Sequence, residues 1–360
     1  MAQVIESAAS LLRLGKSRAK DLIRYIVVFL LAFVAFGIVL LAAGKDPVKA
    51  YADTFTYTLG NSYGRSEVLV RMIPLVLTAI AVALPSRLGL INIGGEGQLY
   101  MGAWLATWGA LTFDGLPKWI LLPVIVCLGF LGGGLWAAIS GTLRAKGWVH
   151  ETISTLLMNY IAPMLANYFI FGPWRSPDSA SYPQSYAFVD AARLPTFGNT
   201  RVHFGLVFAL VAVILYGLLL SRTRWGLEIR AIGGNPEAAR RVGIPLGRYI
   251  IVIMFIAGGI AGLAGMAEVS AVEGRLRQHL SSGYGFTGFL ISWLAGGNPL
   301  GILFMAFLLS VITSVGDILQ ITQGLPFAVV NILLALILFA VLARPAQTCP
   351  ERSRGKGKAT

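Results

Sequence analysis

Charged residues are scarce in this chain. They make up 12% of its 360 residues, whereas a typical soluble domain carries about 25%. Apolar residues account for 56%, and the charges are concentrated between long apolar runs. An ordinary soluble domain is therefore excluded, and the pattern predicts a chain that crosses a membrane several times. The net charge of +13 does not indicate nucleic acid as a partner, because the basic residues lie in the segments between those runs.

Signatures of catalysis and of metal or nucleotide binding are missing as well. The chain has two cysteines and three histidines; Cys127 lies in an apolar run and Cys349 near the C-terminus, so no disulfide is predicted. Neither a phosphate-binding Gly-x-x-x-x-Gly-Lys-Ser/Thr loop nor a Gly-x-Ser-x-Gly elbow occurs. No histidine has a second ligand at metal spacing. We expect no enzyme activity, no cofactor and no ATP hydrolysis by this chain alone.

The apolar runs predict an all-α, polytopic transmembrane helical bundle of about ten membrane segments. The run at 284–295 is short for a full crossing, so eight or nine segments remain compatible with the pattern. The first run lacks a small-residue cleavage site and is long enough to stay as a span. The ten predicted segments lie near 25–43, 68–84, 88–113, 119–142, 152–171, 204–220, 249–267, 284–295, 299–315 and 326–343.

The distribution of Lys and Arg predicts the orientation of the bundle. Most of the 29 Lys and Arg residues fall in the N-terminus, in alternate connections and in the tail. The positive-inside rule then places both termini in the cytoplasm, together with the loop at 222–248. The predicted domains are a basic N-terminal segment (1–24), a transmembrane domain (25–343) and a basic tail (344–360). The proline-containing stretch at 172–203 fits an ordered external loop.

One short helix is predicted inside the polar loop at 222–248. Asn235 is a favourable N-cap, Pro236 suits the first helical position, and Glu237 suits the positive helix end. Gly243 then ends the helix after about two turns. A helix this short between two spans has little core of its own to fill, so it suits docking to another protein. The alternative is an ordinary loop that happens to contain a capped helix.

A second polar cluster interrupts the apolar segment at 88–113. Its residues Asn92, Glu96 and Gln98 lie at or inside an apolar run, where a carboxylate is costly and normally faces a cavity or a partner. The surrounding glycines permit irregular backbone, so this segment could begin as a broken or re-entrant element. Asn159, inside another span, needs hydrogen-bond partners that a solute could supply. For Glu96 and Asn159 the alternative is internal pairing that only fixes helix packing.

Glycines in several spans are interpreted as packing positions. Gly129-xxx-Gly133 and Gly258-xxx-Gly262 allow close approach of helices. The string Gly-Gly-Asn-Pro occurs at 233–236 and again at 296–299. Two four-residue matches are too short to establish an internal duplication.

Several of these motifs resemble one family of membrane proteins. Glu237-Ala238-Ala239, with Gly243 four residues further on, resembles the EAA signature of ABC importer permeases. The string Asn92-Ile-Gly-Gly-Glu-Gly-Gln98 is similar to the branch of that family that carries simple sugars, nucleosides and branched-chain amino acids, especially its nucleoside-type members. The resemblance continues at 151–160 and 294–301. Where relatives often have Gly-Phe-Asp-Gly, this chain has Gly285-Phe-Thr-Gly288, so a role for an acid there does not carry over.

The resemblance implies a function that composition alone does not. It implies a permease subunit of a bacterial ABC importer in the inner membrane, moving nucleosides or simple sugars inward. Its partners would be a cytoplasmic ATP-binding subunit, a second permease subunit and an external solute-binding protein, with membrane lipid around it. Coupling to the ATPase would use Asn235, Pro236, Glu237, Ala238, Ala239 and Gly243, and the solute path would pass Asn92, Glu96, Gln98 and Asn159. The alternative is an ion-coupled secondary transporter with Glu96 as its ion site.

Overall fold

The computed structural model describes residues 31, 34–177, 182–324, 332, 335 and 336. Most of its described residues are helical, and the β-bridges among them are isolated. Residues 34–42 are also helical. The named helices are α1 (Pro47–Thr58), α2 (Ser62–Ser86), α3 (Gly95–Thr112), α4 (Lys118–Ala145), α5 (Glu151–Phe171), α6 (Gly205–Arg222), α7 (Arg224–Gly234), α8 (Pro236–Arg241), α9 (Leu246–Ala267), α10 (Tyr284–Leu294) and α11 (Pro299–Gln323).

Six of the described helices are long and apolar enough to cross a membrane: α2, α4, α5, α6, α9 with the π-helical turn that follows it, and α11. The all-α fold class is confirmed at this level. Eight of the ten predicted segments coincide with helices, α3 and the shorter α10 included. The predicted segment at 326–343 and much of the one at 25–43 lie outside the described residues, as do the basic segment at 1–24 and the tail at 344–360.

Residues 54–315 form one compact unit, and its centre is built from α2 and α9. In the most apolar window of α2, 89% of residues are buried, against 61% for α9 and 28% for α6. Burial on all sides explains why α2 is apolar around its whole circumference from Ile73 to Leu84. Helix α6, by contrast, leaves most of its apolar surface exposed in the single chain.

Close helix contacts in this unit depend on glycine, as the small-residue spacing predicted. A Cβ at Gly133 of α4 would overlap the Gly258 carbonyl of α9, and a Cβ at Gly262 would overlap the Gly129 carbonyl. Gly265 meets the backbone of α3 at Leu99 in the same way. With glycine at these positions the backbones of α3, α4 and α9 touch directly, which is the packing that membrane helices use in place of a hydrophobic driving force.

The described parts of the stretch at 172–203 are held by backbone hydrogen bonds, in agreement with the predicted ordered loop. The Ser176 amide donates to the Gln184 carbonyl (2.9 Å), and the Ser185 and Phe188 amides donate to Leu276 (2.9 Å) and Gly274 (2.8 Å). The loop is thus fastened to the segment that follows α9.

Helix α1 lies outside the ten predicted segments. Asp46 caps it by accepting hydrogen bonds from the amides of Val48 (2.8 Å) and Lys49 (3.3 Å). The signal was present, since Asp46-Pro47 is a good helix start. The described residues of 34–53 and 316–324 group separately from the 54–315 unit; among them, the Gln323 amide donates to Asp53 (3.1 Å).

Candidate functional site

The connection between α2 and α3, residues 87–94, is not helical although it lies between two apolar helices. Half of its residues are buried, and Gly89 has a φ of +78°. Backbone amides in such a segment need partners from elsewhere. Helix α5 supplies them: the Ile91 amide donates to the Glu151 carboxylate (3.2 Å), and the Ile93 amide donates to the Thr155 hydroxyl (3.3 Å). The predicted break in this segment is confirmed, and α3 itself begins only at Gly95.

Asn92 and Gln98 bond to each other across the start of α3. The Asn92 Nδ2 donates to Gln98 Oε1 (3.2 Å), and the Gln98 Nε2 donates to Asn92 Oδ1 (2.9 Å). Asn92 also donates to the Ala81 carbonyl (3.0 Å) and accepts from the Gly94 amide (3.0 Å). Both side chains are at most 1% exposed. The pair therefore ties the connection to the end of α2 in the conformation seen here.

Asn159 of the neighbouring helix α5 caps the N-terminus of α3. Its Oδ1 accepts from the Gly97 amide (2.8 Å), and its Nδ2 donates to the Ile93 carbonyl (2.8 Å). The first amides of a helix have no partner within it. The neighbouring chain segment provides no side-chain cap, since the N-cap residue is Gly94. Asn159 thus supplies a cap that the local sequence lacks. We refer to Asn92, Gln98 and Asn159 as the amide lattice.

Glu96 points from the first turn of α3 to the start of the short helix α10. Its Oε2 accepts from the Gly285 amide (2.7 Å), and the Ser281 hydroxyl and Gly283 amide are further hydrogen-bonding neighbours. The side chain is only 6% exposed. A carboxylate at the N-terminus of a helix is stabilised by the unsatisfied amides and by the helix dipole. Glu96 therefore holds α3 and α10 together at their N-terminal ends, where their backbones touch at Gly95 and Gly285.

Glu151 completes this site and was not recognised as one of its residues from the sequence. It is 1% exposed, and its carboxylate bridges the Ile91 amide and the Arg144 guanidinium of α4 (Nε–Oε2 2.9 Å). In the sequence, the only indication was that Glu151 is the first residue of the stretch 151–160, which resembles the ABC importer permeases. Its role depends on residues about sixty positions earlier, which no local pattern reveals.

The second predicted site lies elsewhere, at α7 and α8. The Asn235 Oδ1 accepts from the amides of Glu237 (3.1 Å) and Ala238 (3.0 Å), and Pro236 occupies the first turn. Gly243 has a φ of +87°, and the Gly243 and Ile244 amides close the helix by donating to Arg240 (3.0 Å) and Ala239 (3.1 Å). Helix α8 has the boundaries that the sequence predicted. Of its residues only Ala239 is buried, and the side chain of Glu237 is 63% exposed.

Two further polar side chains, Glu268 and His203, are buried although they lie outside the start of α3 and outside α8. Glu268 lies in the π-helical turn Glu268–Glu273 and is only 5% exposed. Its charged neighbours include Arg71 and Arg201. His203 is 1% exposed; burial, and then the charge of Arg201, lowers the pKa of its imidazole to about 4. His203 is therefore neutral at physiological pH.

Comparison with known proteins identifies the family of this chain. Residues 64–342 match the family described as branched-chain amino acid transport system / permease component. The chain belongs to this family.

Individual relatives cover nearly the whole chain. A glucose ABC transporter permease of Haloferax volcanii is 35% identical over 88% of this chain and 86% of its own length. A guanosine ABC transporter permease of Bacillus subtilis is 32% identical over 90% of this chain and 94% of its own. A nucleoside ABC transporter permease of Lactococcus lactis is 30% identical over 89% of this chain and 90% of its own length. The chain is thus an integral membrane permease subunit of an ABC transporter, and not an enzyme itself.

An apolar cavity among the described residues does not coincide with either site. It has a volume of about 490 Å³ and lies between α2, α4, α6 and α9. Its wall includes Phe130, Phe208, Leu215 and Ile260. None of the predicted site residues lines it. The polar site at the start of α3 and the exposed helix α8 therefore remain the candidates for solute contact and for coupling.

Proposed function

We propose that this permease carries nucleosides, with simple sugars as the second solute class, from an external binding protein into the cell. Two of the relatives above are named for nucleosides or guanosine and one for glucose. Both solute classes carry ribose- or hexose-type hydroxyls, which need hydrogen-bonding partners inside the membrane. Family membership favours this proposal over an ion-coupled carrier.

The observation that carries the proposal is the geometry of α8. It is a capped, six-residue helix whose side chains are almost all exposed, placed between the spans α6 and α9. Its acidic first turn and basic last turn (Arg240 and Arg241) agree with the helix dipole and, with the Asn235 cap, favour the helical conformation although only Ala239 is buried. A helix of this kind fits a groove on another protein. We assign that groove to a separate ATPase subunit on the cytoplasmic side.

In this proposal the bundle has about ten membrane segments with both termini in the cytoplasm, and it works beside a second permease subunit. The solute path passes the start of α3, near Asn92, Glu96, Gln98 and Asn159. In the present conformation the amide lattice is engaged internally. ATP-driven movement must therefore exchange some of these bonds for bonds to solute, in a shift between inward-open and outward-open states.

Uptake into proteoliposomes tests the proposal directly. The permease is reconstituted with its ATPase and the second permease subunit, and radiolabelled guanosine and glucose are supplied on the loaded binding protein. We expect guanosine uptake that requires ATP and the binding protein and persists when ionophores collapse all ion gradients. Uptake that stops with the ionophores and ignores ATP would instead establish an ion-coupled carrier. Preferential uptake of glucose would move the solute assignment to sugars.

A further inference from the structure

The two Gly-Gly-Asn-Pro strings, far apart in sequence, converge on one residue. Arg87 is the C-cap of α2 and opens the non-helical connection. On one side, a Cβ at Gly233 of α7 would overlap the Arg87 carbonyl oxygen. On the other, the Arg87 side chain donates to the carbonyl of Gly297 in the turn between α10 and α11. Each string then starts a helix in the same way, with its asparagine as the cap and its proline in the first turn.

The side chain of Arg87 connects three parts of the bundle. Its Nε donates to the Tyr216 hydroxyl of α6 (3.1 Å), and Nη2 donates to Gly297 and, more weakly, to Gly296 (3.4 Å). The Tyr216 hydroxyl in turn donates to the Gly297 carbonyl (2.8 Å). Gly297 has a φ of +65°, and a Cβ there would lie 2.6 Å from Nη2. The turn is therefore shaped closely around the guanidinium.

The partners of this guanidinium are neutral. Among the described residues no ion pair includes Arg87, although it is half-buried. A planar guanidinium presents several donors in a fixed fork, so it can hold a phenol and a backbone carbonyl at the same time. These neutral acceptors satisfy the guanidinium donors without a second charge having to be buried.

We propose that Arg87 is the positioning residue through which movement of α8 reaches α6 and α11. Asn235 is both the C-cap of α7 and the N-cap of α8, so the two helices are joined without a linker. Helix α7 then rests on the Arg87 backbone at Gly233, and the Arg87 side chain holds the start of α11 and the wall of α6. This inference depends on the proposed coupling role of α8.

A matched pair of substitutions tests the backbone contact. Gly233→Ala places a methyl group against the Arg87 carbonyl, whereas Gly234→Ala, one position later, enters open space. Neither glycine has a positive φ. In the reconstituted complex we expect Gly233→Ala to reduce ATP-dependent uptake severalfold and Gly234→Ala to leave it unchanged. Equal uptake by the two variants would overturn the contact at Gly233.

Substitution of Arg87 tests the side-chain contacts. A hydrogen bond to a charged group corresponds to about a 10- to 100-fold effect, so we expect Arg87→Gln to reduce uptake per ATP hydrolysed by that factor. Arg87→Lys keeps the charge but not the fork and should recover only part of the loss. Tyr216→Phe removes the hydroxyl that bonds to Arg87 and to Gly297 but leaves the bonds of Nη2 to the turn, so it should cost less. Lys146→Gln is the control, because Lys146 is exposed and its ammonium lies over the Trp148 ring. Full recovery by lysine would contradict the positioning role.

A distance measurement separates transmission of movement from simple loss of stability. Cys127 and Cys349 are replaced by serine, and spin labels are placed at Leu227 on α7 (62% exposed) and Leu300 on α11 (75% exposed). With Arg87 present, the distance between the labels should stay the same with and without bound ATP, since the helices move together. With Arg87→Gln it should change with nucleotide. A distance that varies in both proteins, or in neither, would overturn the proposal. ATP-dependent uptake by the unmodified permease tests the proposed function separately.

Discussion

The start of α3 and helix α8 are both polar interruptions of an apolar chain, yet they satisfy their hydrogen bonds in opposite ways. In α8 the partners are two or three residues away, as in the bonds of Asn235 to Glu237 and Ala238. At the start of α3 the partners of Gly97 and Glu96 are 62 and 189 positions away. The first arrangement leaves an exposed, self-contained helix. The second makes a buried site that exists only when several helices are assembled.

This difference predicts where substitutions act. Changes at the start of α3 should lower the free energy of unfolding, because they leave buried groups without partners. Changes on α8 should leave stability unaffected and interrupt transport. From the largest expected effect to the smallest, stability is measured as unfolding of the purified permease in mixed micelles, and uptake is added for Glu96 and Glu237.

Glu151→Ala should have the largest effect. It removes the partner of the Ile91 amide and of the Arg144 guanidinium. We expect a loss of about 2–4 kcal/mol, below the full cost of breaking a buried ion pair because Arg144 remains partly in water. Glu151→Gln keeps an acceptor for Ile91 and should lose less. If both variants unfold like the unsubstituted protein, the connection between α2 and α3 does not depend on α5.

Asn159→Ala should come next. It leaves the Gly97 amide and the Ile93 carbonyl without partners, at a cost of about 1–3 kcal/mol. Tyr160→Phe is the control, since the neighbouring Tyr160 is 61% exposed. Amide hydrogen exchange at residues 93–98 should rise in the alanine variant alone. An unchanged exchange rate there would show that Asn159 does not cap α3.

Glu96→Gln should cost about 1 kcal/mol, because the amide oxygen can still accept from Gly285 while the charge at the start of α10 is lost. If Glu96 lies on the solute path, the same variant should also change the uptake rate or the preference between guanosine and glucose. A change in unfolding alone would leave Glu96 as a purely structural link between α3 and α10.

Glu237→Lys should have the smallest effect on stability. Its ion pair with Arg241 spans 3.6 Å with both side chains largely exposed, and such a pair contributes about 0.5 kcal/mol or less. We nevertheless expect most ATP-dependent uptake to be lost, with weaker retention of the ATPase subunit during purification. Asp114→Lys, a charge reversal at another exposed position, should change neither measurement. Normal uptake by Glu237→Lys would remove the docking role of α8.

A region was predictable from the sequence when its contacts join residues that are close together along the chain. The boundaries of α8 were predictable because Asn235, Pro236 and Gly243 act on their own backbone. The break before α3 was predictable from its glycines and polar residues, and the helix contacts at Gly133 and Gly258 from their spacing. The bond of Glu151 to the Ile91 amide and the bonds of Arg87 were not predictable, because these partners are 60 or more positions apart.

The amino-acid sequence by itself determined the apolar segments, the short capped helix and the membrane class of this permease, since these depend on composition and on residues within one or two turns of each other. The tertiary structure alone decided which polar groups share a site. A buried amide, carboxylate or guanidinium is held by the nearest available partner in space, and in this bundle that partner belongs to another helix.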